Sequence, residues 1–204
     1  MKKILFLFLA ACFFFSCEKE TIVIPQQHAG RTVLAFFWAD NSLNFSLRDN
    51  IQTMMQGLQA MKDSAALLVY WDGEASDISW PEPCIVEYVT NGQGGINSLS
   101  KGTIDAMMAD KNTSIYDLIG IGNIRKKYPP QTSTEKTVMQ TVIGDMMSAY
   151  PSESYGIIFG SHGSGWLPTI AGTRSIGQDG GWHSSDTALI PELAEVLRTV
   201  NPQK

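Results

Sequence analysis

Three short runs of the chain are apolar almost from end to end: Thr32–Trp38, Ala65–Trp71 and Tyr155–Phe159. A strand with one wet face alternates apolar and polar residues. Runs like these need cover on both faces of their sheet. The cover is written between and after them. Leu47, Ile51, Met54, Met55, Leu58 and Met61 fall at helical spacing over Leu47–Met61. So do Val138, Val142, Ile143, Met146 and Met147 over Glu135–Tyr150, and a last amphipathic stretch spans Leu189–Val200. The order strand, helix, strand implies a right-handed crossover between parallel strands. The expected fold is therefore α/β, a three-layer sandwich around a mostly parallel sheet.

The segments between these elements carry weaker signals. Trp80–Asn91 reads as an edge strand or hairpin, because Pro81 and Pro83 suit an edge. Asn91-Gly-Gln-Gly-Gly95 is a turn without the glycine spacing of a dinucleotide fingerprint. Lys101–Ala109 and Tyr116–Lys127 read as short helices, with Arg125, Lys126 and Lys127 as a solvated face. Thr132-Ser-Thr-Glu135 has capping-box spacing and opens the helix that Pro151 stops. Leu167–Asp186 is a Gly/Ser-rich loop holding Arg174, Asp179, Trp182 and His183, and a loop of that length is commonly functional.

The first residues read as an export signal. Lys2 and Lys3 precede an apolar run, Ile4–Phe15, too short to span a membrane stably. Cys17 closes the run and is followed at once by Glu18-Lys19-Glu20, a pattern that resembles bacterial lipoprotein signals; Cys12 is the alternative. This divides the chain into a signal peptide, 1–16, a lipid-anchored tether, 17–31, and one α/β domain, 32–204. The localisation expected is the cell envelope, anchored by lipid at the outer membrane. Formal net charge is −5, and losing the signal leaves thirteen basic against twenty acidic residues. That balance argues against a nucleic-acid partner. No Cys/His spacing suits a zinc site.

Chemistry is expected where the third apolar run stops, at Gly160-Ser161-His162-Gly163-Ser164-Gly165. Ligands and catalytic groups in α/β sheets gather just beyond the carboxyl ends of strands. His162 lies there between glycines that permit a sharp turn, and imidazole is the side chain suited to proton transfer near neutral pH. A surface histidine in a glycine loop is the plain alternative. Asp40, in the turn after the first run, is a second candidate, although Asp is also a common turn residue. Cys84 sits inside a strand-like run and reads as a small buried apolar residue. Neither Ser161 nor Ser164 has the flanking glycines of a nucleophile elbow, which excludes an elbow-type serine hydrolase.

Tyr155-Gly-Ile-Ile-Phe-Gly-Ser-His-Gly-Ser-Gly-Trp166 resembles the strand and His-Gly-x-Gly-Trp segment of clostripain-like cysteine peptidases. Ala149–Tyr155, Ala39-Asp40-Asn41-Ser42-Leu43 and Asp186–Leu193 are similar to further segments of that family. The resemblance runs from Thr32 to about Val200. It implies a caspase-like fold and an endopeptidase that cuts after Arg or Lys with a His/Cys pair, acting on peptide or protein substrates. It puts His162 in the catalytic histidine's place and Gly163 as an oxyanion-hole N–H donor. Asp40, Trp166 and Asp179 are the substrate-binding candidates. Calcium is a cofactor of some members. The family's nucleophile follows on the next strand, in a segment like Asp-Ala-Cys, and the sequence holds no such segment. This leaves three readings: a peptidase completed by a downstream polypeptide that fills out the sheet, a gene fragment that folds poorly, or a non-catalytic surface protein that binds peptides or a partner.

Overall fold

The computed structural model describes residues 30–73, 82–90, 92–110, 113–163, 175–179 and 186–200. The signal peptide, Cys17, most of the tether, Trp166, Arg174, Trp182 and His183 lie outside the described residues. The chain runs β1 (Arg31–Ala39), α1 (Asn44–Gln59), β2 (Ala65–Gly73), β3 (Cys84–Val89), α2 (Lys101–Ala109), α3 (Ile115–Ile121), β4 (Asn123–Lys127), α4 (Lys136–Ala149), β5 (Tyr155–Gly160), β6 (Ser175–Asp179), β7 (Asp186–Leu189) and α5 (Ile190–Val200).

The central sheet has the order β4-β3-β2-β1-β5, and β6 and β7 form a separate two-stranded ribbon. β1 is parallel to both β2 and β5, while β3 and β4 are antiparallel additions on the far side. The three apolar runs therefore form the parallel part of the sheet, with β5 at its end. β1 shows why they are apolar throughout. Its Ala35, Phe37 and Ala39 pack with Leu47, Ile51, Met55 and Leu58 of α1 and with Leu118 of α3. Its Leu34, Phe36 and Trp38 face the other way, onto Met139, Val142, Ile143 and Met146 of α4 and Leu193 and Val196 of α5. With a side-chain period of two, β1 and β2 supply both cores at once. β5 packs only Tyr155, Ile157 and Phe159 onto the α4 side and leaves Gly156 and Ile158 exposed, so the expectation of cover on both faces of that run is not met among the described residues. At about 25 cal/mol per Å² of apolar area, burying one such side chain contributes about 2 kcal/mol.

Several expectations are corrected. β3 is an interior strand, hydrogen-bonded to β2 and β4; Pro83 precedes it, so the ladder loses no donor. Tyr116–Lys127 is not one helix. α3 ends at Ile121, and Asn123–Lys127 becomes β4 because its backbone pairs with β3. The Thr132–Glu135 box does not cap α4. Glu135 is the residue before the helix and makes no side-chain cap, while the Ser133 hydroxyl bonds Asp72 and the Tyr70 hydroxyl. The stretch Leu167–Asp186 is not all loop, since Ser175–Asp179 pairs with Asp186–Leu189.

The charges of β4 are not a free solvated face either. Arg125 pairs at 2.8 Å with Glu87, which is 1% exposed, and Lys126 and Lys127 pair with Asp145 and Glu82. α5 closes the fold against α4 through Leu193 and Val196 and an ion pair between Lys136 and Glu195.

Candidate functional site

The site lies where the parallel strands β1 and β5 end side by side. Register aligns Phe37 with Gly160, so the turns that follow, Asp40–Leu43 and Ser161–Gly163, come out next to each other. Gly160 has a packing reason to lack a side chain. A Cβ there would sit 2.6 Å from Leu47 and from the Phe37 ring, against the helix that follows β1.

Asn41 ties the two turns together. It is buried, and its side-chain N–H group donates to the Trp38 carbonyl at 2.7 Å, to Ser161 Oγ at 3.2 Å and to the Gln178 carbonyl at 3.2 Å. Its side-chain oxygen accepts from the Leu43 N–H at 2.9 Å, which closes the turn into α1. Ser161 completes the knot by accepting from the Gln178 N–H at 2.9 Å. A buried amide with every group engaged holds its neighbours rigidly.

One residue further along both turns, Ser42 Oγ lies 2.8 Å from His162 Nε2. Ser42 is exposed and His162 half-buried. Among the described residues the other ring nitrogen, Nδ1, has no partner. The His162 carbonyl accepts from the Gly177 N–H at 2.9 Å, and Gly163 pairs with Ile176 as an antiparallel bridge. In that pairing pattern the Gly163 N–H points away from β6. β6 can lie this close because Gly177 has φ +92° and a Cβ there would be 3.1 Å from the Trp38 ring.

These groups open onto a cleft of about 340 Å³ lined by Asn41, Ser42, His162, Gly163 and Gln178. Of the candidates read from sequence, His162 and Gly163 stand in it. Asp40 is half-buried, one residue before Asn41. Asp179 follows Gln178 and pairs through its backbone with Asp186. Trp166 lies outside the described residues. Sequence reading missed Asn41, Ser42 and Gln178. Only the placement of Asp-Asn-Ser after a buried strand hinted at the first two, and nothing marked Gln178.

Cys84 is far from this cleft. Across the sheet it is level with Trp71, Phe37 and Gly160, three strand spacings from β5, or about 14 Å. It is fully buried, and burial pushes its thiol up to about 12, so thiolate is scarce near neutral pH. For calcium, no group of three or more His, Cys, Asp or Glu that could hold a metal ion occurs among the described residues. No step is assigned to a metal.

The sequence profile of the clostripain family matches residues 35–203. A solved structure, "B. fragilis cysteine protease", is 27% identical with a TM-score of 0.48, over 70% of this chain and 96% of that one. A secreted C11 cysteine protease from Bacteroides thetaiotaomicron, in complex with an irreversible peptide inhibitor, is 26% identical with a TM-score of 0.55. That match covers 84% of this chain but spans only 39% of the length of the other. No curated protein matches.

Proposed function

The chain belongs to the clostripain family of cysteine peptidases, and on that premise we propose that it is the histidine-bearing part of an endopeptidase cutting after Arg or Lys. His162 is its general base, Gly163 N–H its oxyanion donor, and the nucleophilic cysteine belongs to a polypeptide segment beyond this sequence. The observation that carries the reading is the position of His162. It stands past the carboxyl end of the parallel strand β5, in an open cleft, with Nδ1 unengaged among the described residues and the Gly163 N–H turned away from β6. Cys84, buried and about 14 Å away by strand spacing, does not serve.

The edge of β5 supports a missing neighbour. Among the described residues β5 pairs only with β1, and Ile158 on it is 43% exposed. A strand laid there would cover the apolar edge and bring its own carboxyl end beside His162. The thiol it carries would pass its proton to the imidazole as sulfur bonds the scissile carbonyl carbon. The Gly163 N–H would hold the resulting oxyanion, and the imidazolium would return the proton to the leaving amine. Export and lipid anchoring at Cys17 belong to the same proposal, and globomycin-sensitive processing lost in Cys17→Ala is their test.

The assay is cleavage of a basic-P1 peptide by this chain, alone and with the downstream polypeptide. The expected result is turnover only in combination, abolished by His162→Ala and retained in Cys84→Ser. Turnover by the chain alone that survives Cys84→Ser overturns the reading. Peptide binding indifferent to His162→Ala, with no turnover in any combination, would favour a non-catalytic binding protein.

A further inference from the structure

The turn after β1 and the turn after β5 meet through two consecutive pairs, each spanning 120 residues of chain: Asn41 to Ser161, then Ser42 to His162. The first pair is part of the buried amide knot and fixes how the two backbones approach. The second pair then follows with little freedom, and it is the one that reaches the imidazole. Ser42 is exposed and makes no other side-chain bond among the described residues, so it contributes little to the fold. Among the described residues its one side-chain hydrogen bond is with the ring that faces the cleft.

We propose that Ser42 is the positioning residue of His162: its hydroxyl oxygen accepts the Nε2–H, which fixes the tautomer and leaves Nδ1 as the nitrogen that takes and returns the proton. The inference rests on the reading of His162 as the general base. A neutral imidazole carries one proton, and whichever nitrogen holds it cannot act as base. If Nε2–H is held by Ser42, the lone pair sits at Nδ1. When Nδ1 gains the proton, the bond to Ser42 persists and becomes charge-assisted, which strengthens it at the moment positive charge develops. A hydroxyl suits the task because it accepts from Nε2 while its own hydrogen rotates to water. The proton ledger closes without Ser42, which neither gains nor loses a bond to carbon.

The experiment uses the full chain with nitrogen-15 labelled histidine, His162 being assigned by the signals lost in His162→Gln. Wild type is expected to show His162 as the Nε2–H tautomer, Ser42→Ala a mixture of both, and Ser42→Thr, which keeps the hydroxyl, the wild-type form. In combination with the nucleophile-bearing polypeptide, Ser42→Ala should lower kcat roughly 10–100-fold. KM should stay within about two-fold, because orientation of the base is felt in the transition state. Ser42→Thr should recover most of the rate. Unchanged tautomer populations in Ser42→Ala, with His162 still essential for cleavage, overturn this inference and leave the peptidase reading standing. Cleavage that ignores His162→Ala overturns the peptidase reading and, with it, the catalytic meaning of the pair. Covalent capture of Ser42 by a fluorophosphonate probe would make it a nucleophile and also overturns the inference.

Discussion

The two edges of the central sheet are built on opposite plans. β4 carries Arg125, Lys126 and Lys127, each paired with an acid, and most of its side chains are exposed. An edge of that kind repels further strands. β5 carries Gly156, Ile157, Ile158 and Phe159, with no charge and with Ile158 in water. An edge of that kind invites one. The difference teaches that the β4 edge is closed by paired charges, whereas the β5 edge, where His162 stands, is apolar and uncharged among the described residues. That a further strand joins the β5 edge is the proposal to be tested. The contrast also explains why the two ends of one row across the sheet differ in chemistry. Cys84 near β4 is sealed in the core, and the polar groups beyond Gly160 are open to solvent.

The hardest test of the finished edge is Arg125→Ala. It leaves the Glu87 carboxylate buried without its partner, at an expected cost of about 3 kcal/mol. That is the low end for a broken buried pair, because part of Arg125 remains in water. Urea denaturation of the variant measures it, and a loss near zero would mean that the pair does not hold β4 in place.

Gly160→Ala tests whether the β5 edge is packed as tightly as its core neighbours. The added methyl meets Leu47 and Phe37 at 2.6 Å. The expected destabilisation is about 1–3 kcal/mol, because a filled core must shift to admit it. A melting temperature equal to wild type would show that β5 gives way freely.

Cys84 sharpens the contrast through pH. Its thiol is raised by burial from an ordinary 9.0 to about 12, so above pH 9 the unfolded chain loses a proton that the folded chain keeps. The stability this adds is whole below pH 9 and is lost as pH climbs toward 12. Cys84→Ala should change stability by about 1 kcal/mol at neutral pH and melt with a shallower decline from pH 9 upward. An equally steep decline in both proteins would place the thiol outside the core.

The smallest expected change in folding is Ile158→Lys, within about 0.5 kcal/mol because the position is exposed. Its effect should appear in association. Wild type is expected to self-associate through β5 as concentration rises, as seen by light scattering, and to lose that tendency when the downstream segment is added. Ile158→Lys should stay monomeric and fail to be completed by the segment. A wild-type monomer that melts sharply at every concentration, with or without the segment, would show that β5 needs no neighbour.

Much of this architecture was legible in the sequence, for a local reason. Continuous apolar runs mark strands and helical spacing marks their cover, so β1, β2, β5, α1, α4 and α5 all fall where the pattern puts them. Burial on both faces holds for β1 and β2, while β5 is exposed on the face of Ile158. The misreadings share another cause. Asn123–Lys127 has no apolar period of its own and becomes a strand only because β3 offers it a partner. Thr132 and Glu135 have the spacing of a capping box, yet α4 starts only after Glu135, and between them the Ser133 hydroxyl is taken by Asp72, buried at the end of β2.

The candidate site divides in the same way. His162 and its glycines announced themselves by composition and by their place after a buried run. Asn41 and Ser42 did not, since small polar residues in a turn carry no burial signature and their partners lie 120 residues away. The sequence by itself determined which segments form the parallel strands of the sheet and their helical cover, because that is written in the period of side chains along one element. Only the tertiary structure decided that Ser42 meets His162, because that meeting depends on the parallel register of β1 and β5, which no periodicity within either strand encodes.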